Sequence, residues 1–368
     1  MTMPTRLLLA GLWLLAWPAL AAAPLPAAGA LADQSSVSGL SSGGFMAAQF
    51  HVAYSSRLIG AGIVAGGPYY CAGSDSPAAG IGAAPPYLAT AATRCMNPCR
   101  WAFWPFKRWC EQLMLPDGAE LAERARGFAA AGAIDPLVGL AGDRVYLFSG
   151  GEDDTVVTGV VDQTHAFYRA AGVEAAAIRY DRLADAQHAL ISDEAQHSCD
   201  YHGTPYINRC GDYDQARLIL QQLYGRLEPN NPTPSGRLLA FDQREFVPAE
   251  DFERSGLADA GFLYLPQSCS DQPCRIHVAF HGCQQSAAEF ATNQVYFHQL
   301  AGYNEVADSN RVLVLYPQIR TRDAMQRSPY NPKGCWDFWG YSGSQFYTRA
   351  GVQMQAVAQM LERLGAPP

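Results

Sequence analysis

The chain has 368 residues, 49% of them hydrophobic, and a formal charge of −8. That length gives room for one large α/β domain or two modest ones, with enough apolar material for a sizeable core. The acidic balance argues against a nucleic-acid partner, which would require a basic face.

The first residues read as a targeting segment. Arg6 is a positive n-region, Leu7 to Leu20 an apolar run too short to span a bilayer comfortably, and Ala19-Leu20-Ala21 a small-residue cleavage site. Residues 1–21 are therefore expected to be a signal peptide, and residues 22–368 the mature, secreted chain, extracellular or periplasmic. No later stretch is long and apolar enough to span a bilayer, so no stable membrane insertion is expected after cleavage. Ten cysteines, an even number in an exported chain, point to disulfides. Their spacings do not resemble zinc knuckles, and neither metal nor cofactor is expected. Short loop closures suggest Cys199–Cys210 and Cys269–Cys274.

Val37 to Phe50 reads VSGLSSGGFMAAQF and contains G-x-S-x-G at Gly39 to Gly43. A serine on a sharp strand-to-helix turn needs near-glycine neighbours, because larger side chains clash where the backbone reverses. The turn lifts the Ser41 hydroxyl into a cleft, and the following helix points its N-terminal N–H groups there. Leu58 to Gly67 is an apolar run of buried-strand length. Tyr69 follows at its C-terminal end, where α/β sheets place ligand loops, and is a candidate binding residue. Residues 101–109 are dense in aromatics and are expected to pack on the core as a cap pinned by Cys95, Cys99 and Cys110. A helix is predicted over 121–131, a strand over 144–150, a helix over 161–171, a strand over 176–180 and a helix over 214–224. Residues 226–237 are rich in Pro, Asn and Gly and read as a linker. Beyond it, strands are predicted over 238–246, 262–265, 275–280 and 312–316, and an amphipathic helix over 353–364.

A serine nucleophile needs a base, and the base an orienting acid. In α/β-hydrolases they follow in the order Ser, Asp/Glu, His, each in a loop after a strand. Ser41, Asp153 and His188 fit that order. Glu152 and Asp154 flank Asp153 as rivals, and His197 and His202 are rivals of His188. The oxyanion hole needs the backbone N–H after the nucleophile, that of Ser42, and a second from an H-G-G-like turn. Such a turn stands at His281-Gly282-Cys283, at a strand's end but after the triad. Too little chain precedes Ser41 for the strands that normally come first. A circular permutation through the 226–237 linker supplies them; the alternative is a separate domain starting near Leu238. The fold class expected is therefore a single α/β-hydrolase domain, with a mostly parallel sheet and helices on both faces, permuted so that the elbow lies near the mature N-terminus.

The chain resembles the circularly permuted single-domain poly(3-hydroxybutyrate) depolymerases, within a wider esterase group that includes feruloyl and acetylxylan esterases. The resemblance is carried by GLSSGGFMAAQF around Ser41, AGGPYYCA at 65–72, YLFSGGEDDTV around Asp153, AQHAL at His188 and PYINRCGDYD at 205–214. It continues in VAFHGCQQ at 278–285, LVLYPQ at 313–318 and NPKGCWDFWGYSG at 331–343. It implies Ser41 as nucleophile, Asp153 as acid, His188 as base and the Ser42 and Cys283 amides as oxyanion hole. It also implies a polyester or oligoester substrate gripped by Trp336, Phe338 and Trp339, and it makes a Cys283–Cys335 disulfide plausible. Carbohydrate esters of the feruloyl or acetylxylan type are the alternative substrates. A hydrolase-like protein that binds polymer without cutting it is the alternative outside catalysis.

Overall fold

The run that ends at the serine elbow becomes the middle of a sheet. In a computed structural model, residues 22–73, 87–103, 105–287, 297–322 and 330–368 are described; the leader, Pro85-Pro86 and Trp104 lie outside them. In chain order the strands are β1 (Leu31–Leu40), β2 (Leu58–Val64), β3 (Arg144–Gly150), β4 (Ile178–Leu183), the short β5 (Leu190–Ile191), β6 (His197–Ser198) and β7 (Ile207–Arg209), then β8 (Arg237–Asp242), β9 (Ala260–Leu265), β10 (Arg275–Phe280) and β11 (Val312–Tyr316). The eight long strands form one sheet in the order β4-β3-β2-β1-β10-β11-β9-β8, and β5, β7 and β6 form a small second one. From β4 to β11 every pairing is parallel; β9 alone runs antiparallel to its neighbours. Strands from both sides of the 226–237 stretch thus share one sheet, with Val37 opposite Val278. The inner strands are buried along nearly their whole length, as the continuous apolar runs of a covered parallel sheet should be.

The helices are α1 (Ser42–Ala53), α2 (Leu88–Arg94), α3 (Phe106–Met114), α4 (Gly118–Ala130), α5 (Thr158–Ala171), α6 (Gln215–Tyr224), α7 (Ala249–Ser255), α8 (Phe297–Leu300), α9 (Tyr303–Asn310) and α10 (Val352–Gly365). Every residue of α1 is buried, so it shows no polar face; it packs on β1 and β2, with α10 beside β1 and α5 on β3. Helices α6 and α9 pack together, α6 over β2 and β3 and α9 on β11. Asp214 caps α6 by accepting from the Arg217 N–H.

Two strand ends differ from the sequence expectation for local reasons. β8 stops at Asp242, whose carboxylate accepts from the Arg244 N–H and opens a 3₁₀ turn. β4 starts only at Ile178, after a 3₁₀ turn over Ala175–Ala177. The linker is tied down: Asp308 accepts from Asn231 Nδ2 and from the Ser235 and Gly236 N–H groups at 2.7–3.1 Å. The disulfides are Cys71–Cys95, Cys99–Cys110, Cys199–Cys210, Cys269–Cys274 and Cys283–Cys335. The aromatic stretch corrects the sequence reading. It does not pack on the core: Trp101 is 89% and Phe103 71% exposed. The helix α3 that follows buries none of its residues, and the Cys99–Cys110 disulfide fastens it without any core face.

Candidate active site

Between β1 and α1, Ser41 takes φ 57° and ψ −122°, a backbone state that costs a non-glycine residue about 1–3 kcal/mol. The surrounding glycines are needed because the elbow presses on itself and on the end of β10. A Cβ on Gly43 would lie 2.3 Å from the Phe280 carbonyl oxygen and 2.5 Å from that of His281, and one on Gly39 would lie 2.3 Å from the Gly43 carbonyl. The Ser41 N–H donates to the Val64 carbonyl at 2.9 Å, which ties the turn to β2. Ser42 is the first residue of α1, so its N–H has no acceptor within the helix.

Asp153 and His188 come from loops beyond β3 and β4. Asp153 Oδ1 accepts from the Thr155 and Val156 N–H groups, both at 2.8 Å. Its other oxygen meets His188 Nδ1 at 2.7 Å. A carboxylate can only accept, so Nδ1 carries the proton and Nε2 is left basic. The neighbouring candidates are engaged elsewhere. Asp154 pairs with Arg100 at 3.7 Å and His202 at 3.3 Å, Glu152 is exposed, and His197 stacks on Tyr201 with ring centroids 4.0 Å apart.

The turn after β10 is held from every side. His281 Nδ1–H donates to the Gly282 carbonyl at 2.7 Å, and its Nε2 accepts from the Ile319 N–H at 3.1 Å. Both bonds require a neutral imidazole, and complete burial lowers the His281 pKa to about 4. The Gly282 N–H donates to Gln285 Oε1 at 2.5 Å, and the Gln285 amide donates to the Pro205 carbonyl at 2.8 Å. Gln284, at φ 62°, donates its N–H to the Lys333 carbonyl at 2.7 Å. The Cys283–Cys335 disulfide joins this turn to the 335–342 segment.

These parts meet on an open cavity of about 790 Å³, whose walls include Ser41, His188, Cys283, Phe338 and Trp339. Two of the binding residues expected from sequence do not line it. Tyr69 is fully buried and donates its hydroxyl to the Tyr347 carbonyl at 3.0 Å. Trp336 is also fully buried, edge-on to Phe280, and its backbone N–H donates to Ser42 Oγ at 3.3 Å, while its indole N–H has no hydrogen-bond partner among the described residues. Both rings are packed in the core and leave no face to the cavity.

Other contributors escape a sequence reading. Phe45, one turn into α1, stacks on Phe338 with centroids 4.2 Å apart and shares the cavity wall. Tyr206 stands edge-on to the His188 ring at 6.2 Å and donates its hydroxyl to Gln284 Oε1. Asp337 is buried and accepts from the N–H groups of Trp339, Gly340, Tyr341 and Ser342 at 2.6–3.1 Å. It thereby fixes the turn that carries the two aromatic walls; burial raises its pKa and the bonds from Ser342, Gly340 and Trp339 oppose the rise. A lone acid inside Cys335-Trp-Asp-Phe-Trp-Gly, ahead of small residues, is the one available signal for such a turn. Among the described residues, no three His, Cys, Asp or Glu side chains are grouped to hold a metal ion.

No family model matches the chain. It is 36% identical over 352 residues to a poly(3-hydroxybutyrate) depolymerase of Delftia acidovorans, covering 94% of this chain but 62% of that longer protein. It is 33% identical to a polyhydroxybutyrate depolymerase of Talaromyces funiculosus, covering 96% of both. Among solved structures it is similar to a PHB depolymerase from Penicillium funiculosum (TM-score 0.77, 31% identity, 93% of this chain and 98% of that one). It is also similar to a PHB depolymerase with a serine-to-alanine substitution complexed with R3HB trimer (TM-score 0.75, 31% identity, the same coverage). By sequence identity and coverage alike, the chain belongs to the poly(3-hydroxybutyrate) depolymerase family.

Proposed function

We propose that this chain is a secreted serine esterase that hydrolyses the ester bonds of poly(3-hydroxybutyrate) or its oligomers. The observation that carries the reading is that His188, paired with the buried Asp153 at 2.7 Å, lines the same cavity as the strained Ser41. Ser41 Oγ attacks the ester carbonyl while His188 Nε2 takes its proton. The Ser42 and Cys283 N–H groups hold the oxyanion. Collapse expels the alcohol end, which takes the proton back from the imidazolium. Water then attacks the acyl-enzyme by the same route in reverse, freeing Ser41 and a carboxylic acid. The cavity is wide enough for a few ester units and is walled by Phe45, Phe338 and Trp339, which suits an apolar backbone studded with methyl groups. Five disulfides suit an oxidising, extracytoplasmic compartment. The R3HB trimer bound by a similar structure supports the same substrate class here. We also propose that the domain is a circular permutation, a reading supported by the N–H groups of Ala28 to Ala30, which donate to carbonyls at the end of α10.

The test is clearing of a poly(3-hydroxybutyrate) suspension, with hydroxybutyrate trimer and methyl ferulate hydrolysed alongside, by the wild type and by Ser41→Ala. The wild type should clear the polymer and prefer the trimer. Loss of the serine hydroxyl should reduce turnover by about 10⁴-fold or more. Preference for methyl ferulate would move the substrate to carbohydrate esters, and a fully active Ser41→Ala would overturn the mechanism.

A further inference from the structure

The Ser41 cavity has walls of two kinds. One is apolar: Phe45 stacks on Phe338 with centroids 4.2 Å apart, and Phe338 stands edge-on to Trp339 at 4.9 Å. The other is polar and continuous. The Lys333 carbonyl accepts from the Gln284 N–H, and Gln284 Oε1 accepts from the Tyr206 hydroxyl. The Tyr206 ring lies 6.2 Å from that of His188 and 6.1 Å from that of His202. Charge on this wall is unevenly matched. Asp154 serves both His202, at 3.3 Å, and Arg100, at 3.7 Å, and the Arg100 guanidinium also lies 5.5 Å from the Trp101 ring centroid. Lys333 lines the same cavity and is exposed, and among the described residues no carboxylate pairs with its ammonium. Its main chain is pinned nonetheless, by the bond to Gln284 and by the Cys283–Cys335 disulfide two residues on.

An exposed lysine is ordinarily a solvated charge. Its place is what distinguishes this one. The chain as a whole carries −8 and repels anions, yet on the polar wall Arg100 and Lys333 outweigh Asp154, so a negative group is drawn to the cavity itself. The interior of a polyester has no charge to offer a cation. The carboxylate at its chain end has one, and it accepts charge-assisted hydrogen bonds. We propose that Lys333 binds the terminal carboxylate of an oligoester and so selects chains whose acid end reaches the cavity; this rests on the polyester reading above. In a hydroxy-acid chain the carboxyl end lies on the alcohol side of every ester bond. An oligomer anchored at Lys333 therefore loses its carboxyl-end fragment as the leaving alcohol and leaves its hydroxyl-end fragment on Ser41. The terminal carboxylate keeps its charge throughout, so the lysine acts on binding and not on the bond being broken.

The experiment compares hydroxybutyrate trimer as the free acid with its methyl ester, which has the same backbone and no charge. Cleavage of the internal ester bonds is followed at neutral pH for the wild type, Lys333→Met and Lys333→Arg. The wild type should show the lower KM for the acid, and added salt should narrow the difference. Lys333→Met is expected to raise KM for the acid about fivefold at unchanged kcat, as loss of one exposed ion pair would, and to move KM for the methyl ester by less than about twofold. Lys333→Arg should keep the preference for the acid. Equal loss on both substrates overturns the proposal, because the side chain would then only support the turn after β10. So does no change on either, which would make Lys333 a solvated charge. If the wild type hydrolyses neither trimer, the esterase reading fails. Calorimetric binding of the two trimers to Ser41→Ala, with and without Lys333→Met, then still decides the site: a preference for the acid that the second substitution removes supports it, and equal binding overturns it.

Discussion

Gly43 illustrates how little room the turn at Ser41 leaves. Its missing side chain is where the Phe280 and His281 carbonyl oxygens sit, at 2.3 and 2.5 Å from a built Cβ. Backbone oxygens of a central strand cannot step aside, so Gly43→Ala is expected to cost about 3 kcal/mol and lower the melting midpoint by several degrees. Calorimetry on that variant checks the contact, and an unchanged midpoint would show that the elbow and β10 are not pressed together. The same steric logic makes Ser41 recognisable from sequence, since a turn this tight admits few residue types. Asp153 is harder to single out. Glu152, Asp153 and Asp154 are chemically alike, and they differ only in where a loop folds, with two N–H groups closing on Asp153 and Arg100 turning towards Asp154. Among aromatics the problem is depth: Trp336 and Trp339 stand three residues apart, yet only Trp339 reaches the cavity wall.

At the level of elements, β1 and β10 are joined by more than their ladder. His277 on β10 reaches two serines of β1, with Nδ1 2.7 Å from Ser36 Oγ and Nε2 2.7 Å from Ser38 Oγ. Ser36 Oγ in turn donates to the Tyr224 hydroxyl, and Ser38 Oγ lies 2.6 Å from that of Tyr303. Burial lowers the His277 pKa to about 3 and that of His281 to about 4, from an ordinary 6.5. Once unfolded, both imidazoles take up a proton near pH 6.5, so the folded state binds fewer protons below that pH. The stability they contribute is whole above pH 6.5 and is lost as pH falls through 4 and then 3, by about 1.4 kcal/mol per pH unit for each histidine. His277→Gln should therefore show a shallower fall in melting midpoint between pH 7 and 4.5 than wild type; parallel curves would exclude His277 as a contributor. The long strands are plain in the sequence because buried parallel strands are continuous apolar runs. By contrast α3 is not, because exposed aromatics look the same on paper as core ones, and the two- and three-residue strands of the small sheet are too short to carry any periodicity.

For the molecule as a whole, the two ends of the described chain lie together. The N–H groups of Ala28 and Ala30 donate to the Leu364 carbonyl, and that of Gly29 to the Ala366 carbonyl, at 2.8–3.2 Å. Helix α10 therefore finishes where β1 is about to begin, as the proposed permutation requires. A variant joining Ala366 to Gly29 and opened within residues 230–235 should fold and keep its ester hydrolysis, because only connections change. Failure of that chain to fold, with the point of opening varied, would count against permutation.

The pairing of Val37 with Val278 also sets a clock. Synthesis makes the nucleophile strand early and its partner late, so β1 waits for most of the chain before its second edge is covered, a slow and long-range closure. Until Cys283 has emerged, Ser41 exists without the turn proposed to hold the oxyanion. Under the proposed mechanism, a chain laid out in this order can complete its site only once most of it has been made.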